Sequence, residues 1–120
     1  MAEKKTKQPA DAGAAVLEKV ATWPEPFRSM GARVHAVILD SVPELRPKLW
    51  YGMPGYSRGG PVLCFFRFDD GYMSFGLTEK AHHSVEDGAS DQLMGSAWFL
   101  TRLDEATERR ISEIVRKAAG

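Results

Sequence analysis

The segment "VLCFFRFDDGYMSFGL" (Val62–Leu77) decides how this chain folds. At its centre Asp70-Gly71 is a strong hairpin signal, because Asp and Gly tolerate the positive φ of a primed two-residue turn. With those two residues at the turn, Asp69 faces Tyr72, Phe68 faces Met73, Phe66 faces Phe75 and Cys64 faces Leu77. The last three pairs are wholly apolar and share one face. The other face receives Arg67 with Ser74, Phe65 with Gly76, and Leu63 with Thr78. Sliding the pairing by one residue would send every apolar pair to the opposite face, so the register is well specified. Phe65 opposite Gly76 reads as an aromatic ring covering a strand glycine.

Upstream, "SRGGP" (Ser57–Pro61) predicts a second turn, joining a strand around Lys48–Tyr56 to the strand Val62–Phe68. The glycines of this region therefore build turns. A phosphate-gripping loop would need a helix directly after them, and an apolar β-run follows instead. Pro54 withholds a ladder donor, which predicts an edge or bulge position.

Further out the pattern becomes helical. "AAVLEKVAT" predicts a short helix with Val16, Leu17 and Val20 on one side. Pro24 and Pro26 suit the first turn of a second helix, whose residues Phe27, Met30, Val34, Val37, Ile38 and Ser41 recur at a period near 3.6. Pro43 and Pro47 stop it. Toward the other end, Glu79–Ser96 is polar and aperiodic and reads as an extended loop. "AWFLTRL" reads as a strand. "DEATERRISEIVRKAA" reads as a helix with Asp104 as N-cap and Ile111, Ile114, Val115 and Ala118 as its buried stripe. Helix, antiparallel strands, loop, strand, helix is an α+β order. It predicts a two-layer sandwich with the N- and C-terminal helices on one face of an antiparallel sheet.

Composition narrows the partners. Of 120 residues, 43% are hydrophobic and 27% charged, with 16 basic and 16 acidic side chains, so no strong pull toward nucleic acid or membrane is expected. No stretch approaches the roughly 18 apolar residues of a membrane span, and no apolar run follows the early lysines as in a secretory leader. Residues 1–12 read as a disordered tail and 13–120 as a single domain. Cys64 is the only cysteine, which fits a reducing, cytoplasmic setting.

At the expected turn Tyr51-Gly52-Met53-Pro54, with Tyr56 two residues on, the chain resembles the YdhG-like family of small bacterial proteins, a domain of unknown function. The likeness spans roughly Pro24 to Ala118. Ser96–Ala118, a Trp-containing strand before a terminal helix, is similar to the YjbR-like family. Both resemblances imply a frataxin-like architecture. Some YdhG-like members are described as frataxin-like iron chaperones, so the first resemblance also implies weak iron binding through surface carboxylates and histidines.

Two kinds of site follow. His82 and His83 stand near Glu86 and Asp87, residue types that hold divalent metals, although adjacent histidines in extended chain point opposite ways. The second candidate is the sheet face turned away from the helices. Phe65, Leu63 and Arg67 fall there by register. One of Trp50/Tyr51 and one of Trp98/Phe99 must join them by alternation. Trp50, Tyr51, Tyr56, Leu63, Phe65, Arg67 and Trp98 are thus the candidate surface for a small molecule, a protein partner or a second copy in a homodimer. Whether the loop Glu79–Ser96 covers that face is open at this stage. No catalytic group is expected. Cys64 falls on the core face, and Ser57, Ser74 and Ser84 lack a nucleophile-elbow setting. The expectation is a non-enzymatic binding protein without a bound cofactor, with an iron chaperone as the other reading.

Overall fold

The computed structural model describes residues 12–120; the expected tail, residue 12 apart, lies outside them. Helix α1 covers 12–20 and α2 covers Phe27–Ser41. Five strands follow: β1 (Arg46–Trp50), β2 (Met53–Ser57), β3 (Val62–Asp69), β4 (Tyr72–Leu77) and β5 (Ala97–Leu100). Helix α3 (Glu105–Ala119) closes the order. The strands form one antiparallel sheet in sequence order, β1-β2-β3-β4-β5. This is an α+β fold with the helices on one face of an open sheet.

The β3–β4 hairpin has the register read from the sequence, from Asp69 opposite Tyr72 to Cys64 opposite Leu77. Its turn differs in type. Of Asp70 and Gly71 only Gly71 takes a positive φ, so the turn is not a primed one, yet the pairing is unchanged.

Two departures lie nearer the N-terminus. The expected single strand around Lys48–Tyr56 is a hairpin of two strands, with Trp50 paired to Met53 across a two-residue turn. Tyr51 (φ 51°) and Gly52 (φ 75°) both take positive φ, as a type I′ turn requires. A tyrosine there is unusual, because its Cβ crowds the carbonyl. Pro54 consequently sits in an inner strand and not at an edge. It pairs with Leu49 on one side, whereas the ladder to β3 begins only at Gly55. The missing N–H falls where that ladder has no rung.

Under the helices the core gathers Tyr56, Cys64, Phe66, Met73 and Phe75 from the sheet against Met30, Val34 and Ile38 of α2 and Ile111, Ile114 and Val115 of α3. Leu17 of α1 is exposed, and Val16 and Val20 carry that helix's burial. A Cβ on Gly31 would lie 2.7 Å from the Trp23 ring, so a hydrogen at this position lets the segment after α1 press against α2. The two long helices are joined by Arg33, which donates to both Glu108 carboxylate oxygens at 3.0 and 2.8 Å, and by a 2.6 Å hydrogen bond between the Ser41 and Ser112 hydroxyls. Asp104 caps α3 by accepting the Thr107 N–H at 2.8 Å. Asp104 sits at the N-terminal, positive end of the helix.

Candidate functional site: the helix-free face of the sheet

Gly55, Phe65, Gly76 and Ala97 lie in one row across β2–β5. Their neighbours on the same face are Trp50 and Met53 on one flank and Ser74 and Phe99 on the other. The row is built from small residues with a single large ring. That ring is held close: a Cβ on Gly76 would lie 2.7 Å from Phe65 Cζ, and one on Gly55 would lie 2.9 Å from the Trp50 Cβ. The glycines let Phe65 and Trp50 lie flat on the backbone, with ring centroids 5.2 Å apart. Tyr51 meets Trp50 edge-on at 4.8 Å.

The result is a shallow trough of about 370 Å³. Its floor is Ser74, Gly76 and Ala97 along β4 and β5. Phe65, Trp50 and Tyr51 form one wall and Phe99 the other. Tyr51 is 85% exposed and Phe99 70% exposed, so the walls rise above the floor with nothing across them. At the turn end Arg67 donates to Asp69 at 2.7 Å, and Tyr72 O–H donates to the same carboxylate at 3.4 Å. The Asp70 N–H first, then the Arg67 guanidinium, hold the Asp69 carboxyl below its ordinary range. Tyr72 in turn braces Phe99, edge to face at 5.5 Å.

Four of the seven expected surface residues meet here: Trp50, Tyr51, Phe65 and Arg67. Three do not. Tyr56 alternates with Gly55 and is fully buried under the helices, stacked on Phe66. Its hydroxyl shares a 2.8 Å hydrogen bond with His35 Nδ1. Trp98 also points to the helix side, against Phe75 at 5.9 Å, and Phe99 supplies the β5 aromatic. Leu63 is displaced by a bulge. Tyr56 pairs with Cys64 but Ser57 pairs with Val62, so β3 carries one extra residue there. The bulge re-aims Leu63 toward Ala118 and Ala119 of α3, and Val62 comes against the Gly55 position instead. Sequence reading placed Ser74 on this face opposite Arg67, missed Met53, and took Trp98 in place of Phe99. Alternation narrowed β5 to Trp98 or Phe99, but the long connection of residues 78–96 fixes no register.

The loop does not cover this face. It runs beside α3: the His82 N–H donates to the Ala118 carbonyl at 2.9 Å, and Arg110 pairs with Glu86. The trough is open.

Compared with known proteins, the chain matches no family model, no curated protein and no solved structure.

The metal candidates are not gathered into a site. His83 Nε2 is engaged by the Thr78 carbonyl oxygen at 2.8 Å, Glu86 is turned to Arg110, and His82 and Asp87 lie exposed. Among the described residues no group of three or more His, Cys, Asp or Glu side chains could hold a metal ion. Cys64 and His35 sit under the helices. Burial pushes the Cys64 thiol up to about 12 and lowers the affinity of His35 for a proton. Both are held in the form that packs as a neutral group. Among the described residues no helix is long and apolar enough to cross a membrane.

Proposed function

We propose that this chain is a non-enzymatic, cytoplasmic binding protein of the YdhG-like kind. Its trough on the helix-free sheet face receives a small, flat, largely apolar molecule. The observation that carries the reading is the pairing of tall exposed rings, Tyr51 and Phe99, with a floor of Ser74, Gly76 and Ala97. A sheet face meant only for water has no use for an aromatic at a strained turn position. The volume lies within the roughly 300–1,000 Å³ range of small-molecule sites. Arg67 and the Ser74 hydroxyl are the polar groups at hand, and Arg67 retains donors beyond the one it gives Asp69, suited to an oxygen-bearing substituent. The buried thiol and imidazole lie on the opposite side of the sheet.

A protein partner or second copy is disfavoured by size. Five strands about 4.8 Å apart and three side-chain rows deep give a patch of only a few hundred Å², well below the roughly 800 Å² per partner of a stable interface. The test is titration with anilinonaphthalene sulfonate, an aromatic, largely apolar anion, followed by dye fluorescence and sedimentation. The wild type should bind dye in the trough, and Phe65→Ser with Arg67→Ser should lose that site while keeping its circular dichroism. A concentration-dependent dimer abolished by the same double variant would overturn the small-molecule reading.

A further inference from the structure

A second cavity, of about 380 Å³, lies on the other side of the sheet, between α3 and the loop of residues 78–96. Its floor is apolar: Leu77, Trp98, Ile114 and Ala118. Its rim carries His82, Leu93 and Lys117, with Arg110, Glu86 and Asp91 beside them. The loop is long for one without helix or strand, and ordered loops of that length generally serve binding. This one is fastened to the scaffold. Near its start His82 N–H is bonded to Ala118 and His83 to Thr78, midway Glu86 is paired with Arg110, and at its end the Leu77 N–H donates to Ser96 at 2.8 Å. So fastened, it still leaves a crevice over that floor. Gly95 brings the chain close to the Trp98 ring, where a Cβ would lie 3.2 Å from Cζ2.

We propose that this crevice is a second binding site, independent of the trough, for a small monocarboxylate with a flat apolar body. The body would lie on Trp98 and Ile114, under Leu93. Leu93 is 80% exposed at the rim, an apolar side chain that such a ligand would cover. The charges set the headgroup. Arg110 and Glu86 neutralise each other, and Asp91 is committed to its own turn, accepting the Leu93 N–H at 2.9 Å. Lys117 has no ion-pair partner among the described residues, and the exposed His82 stands beside it on the rim. One free cation matches one negative charge. A phosphate dianion fits poorly, because the crevice lies at the carbonyl end of α3, where the helix dipole is negative, and because Asp91 adds a like charge.

The test is titration of the full chain with phenylacetate into the millimolar range, read by amide and indole N–H chemical shifts. Shifts should cluster at Trp98, His82, Leu93 and Lys117. Lys117→Gln and Leu93→Ser are exposed substitutions that leave the fold intact, and each should weaken binding about fivefold to tenfold, the worth of one charge-assisted contact or one apolar cover. Phenylethylamine, the cationic counterpart, should bind more weakly than phenylacetate. Shifts confined to Trp50, Phe65 and Phe99 would overturn the proposal while supporting the trough. Equal binding of amine and acid, unchanged affinity in Lys117→Gln, or no shifts at all would also overturn it.

Discussion

Phe65 and Phe66 are adjacent in the chain and have opposite fates. Phe66 is fully buried, stacked on Tyr56 with centroids 6.1 Å apart and met edge-on by Trp23 at 5.8 Å. Phe65 lies half-exposed on the other face, over the bare backbone of Gly76. The period-2 alternation of a strand separates them, but the neighbours decide what each one does. On the helix side every strand offers a large apolar group, and two helices fill the space above. On the open side the rings face Gly55, Gly76, Ala97 and Ser74, residues too small to fill the face. One side is a core that completes itself. The other is a surface whose side chains leave a space.

The sharpest break of that contrast is Phe66→Ala. It should cost about 3–5 kcal/mol, the range for a buried aromatic truncated in a packed core, measured by urea unfolding with an unchanged m-value. A loss under about 1.5 kcal/mol would show that the helix-side ring is not locked by its surroundings.

Acid should act on the same covered side. His35 is buried, hydrogen-bonded to Tyr56, and binds a proton less readily than an exposed imidazole because burial disfavours its charged form. The unfolded chain takes up that proton near pH 6.5, whereas the folded chain waits for a lower pH. The unfolded state therefore holds more protons across that window, and stability falls as pH drops from about 6.5 toward the folded value. His35→Gln keeps a hydrogen-bonding group near Tyr56 but cannot titrate, so its acid limb should be flatter than wild type. Parallel limbs in the two proteins would remove His35 from the account.

How far the sequence could be read follows the same division. The β3–β4 register was legible because three apolar pairs agree on one face and a two-residue turn leaves no slack. Both long helices and the Asp104 cap were legible from periodicity and from a side chain that can cap. What was lost depended on tertiary choices. The turn at Tyr51-Gly52 was expected as the entry to a strand, but that it pairs β1 with β2 as a hairpin was not. The bulge at Leu63 has no marker beyond a loose Gly-Gly loop. The choice between Trp98 and Phe99 waits on where the loop of residues 78–96 delivers β5. Of the trough, then, Phe65, Arg67 and Ser74 followed from hairpin logic and one of Trp50 and Tyr51 from alternation, while Met53, Phe99 and the presence of both Trp50 and Tyr51 needed the folded sheet.

Tyr51 tests whether the open face gives up stability for its rings. Holding a tyrosine at φ 51° is unfavourable by roughly 1–2 kcal/mol relative to an ordinary conformation. Asparagine is at home in the first position of a type I′ turn. Tyr51→Asn should therefore stabilise the protein, by about 1 kcal/mol at most, and at the same time weaken dye binding in the trough. Stabilisation with binding unchanged would leave Tyr51 as a strained turn residue with no part in recognition.

The smallest effect on stability is expected at Phe99, and it is the most informative for the contrast. The ring is 70% exposed and touches the fold mainly through the edge of Tyr72. Exposed substitutions of this kind usually stay within about 0.5 kcal/mol, so Phe99→Ala should unfold like wild type. Its effect should appear in binding, where one wall of the trough is gone. Removing a ring that a flat ligand covers forfeits on the order of 1–1.5 kcal/mol of apolar burial, which is about a fivefold to tenfold loss of dye affinity. The opposite pattern, a destabilised protein with full dye affinity, would mean that Phe99 shields the sheet and that the space between it and Phe65 holds nothing.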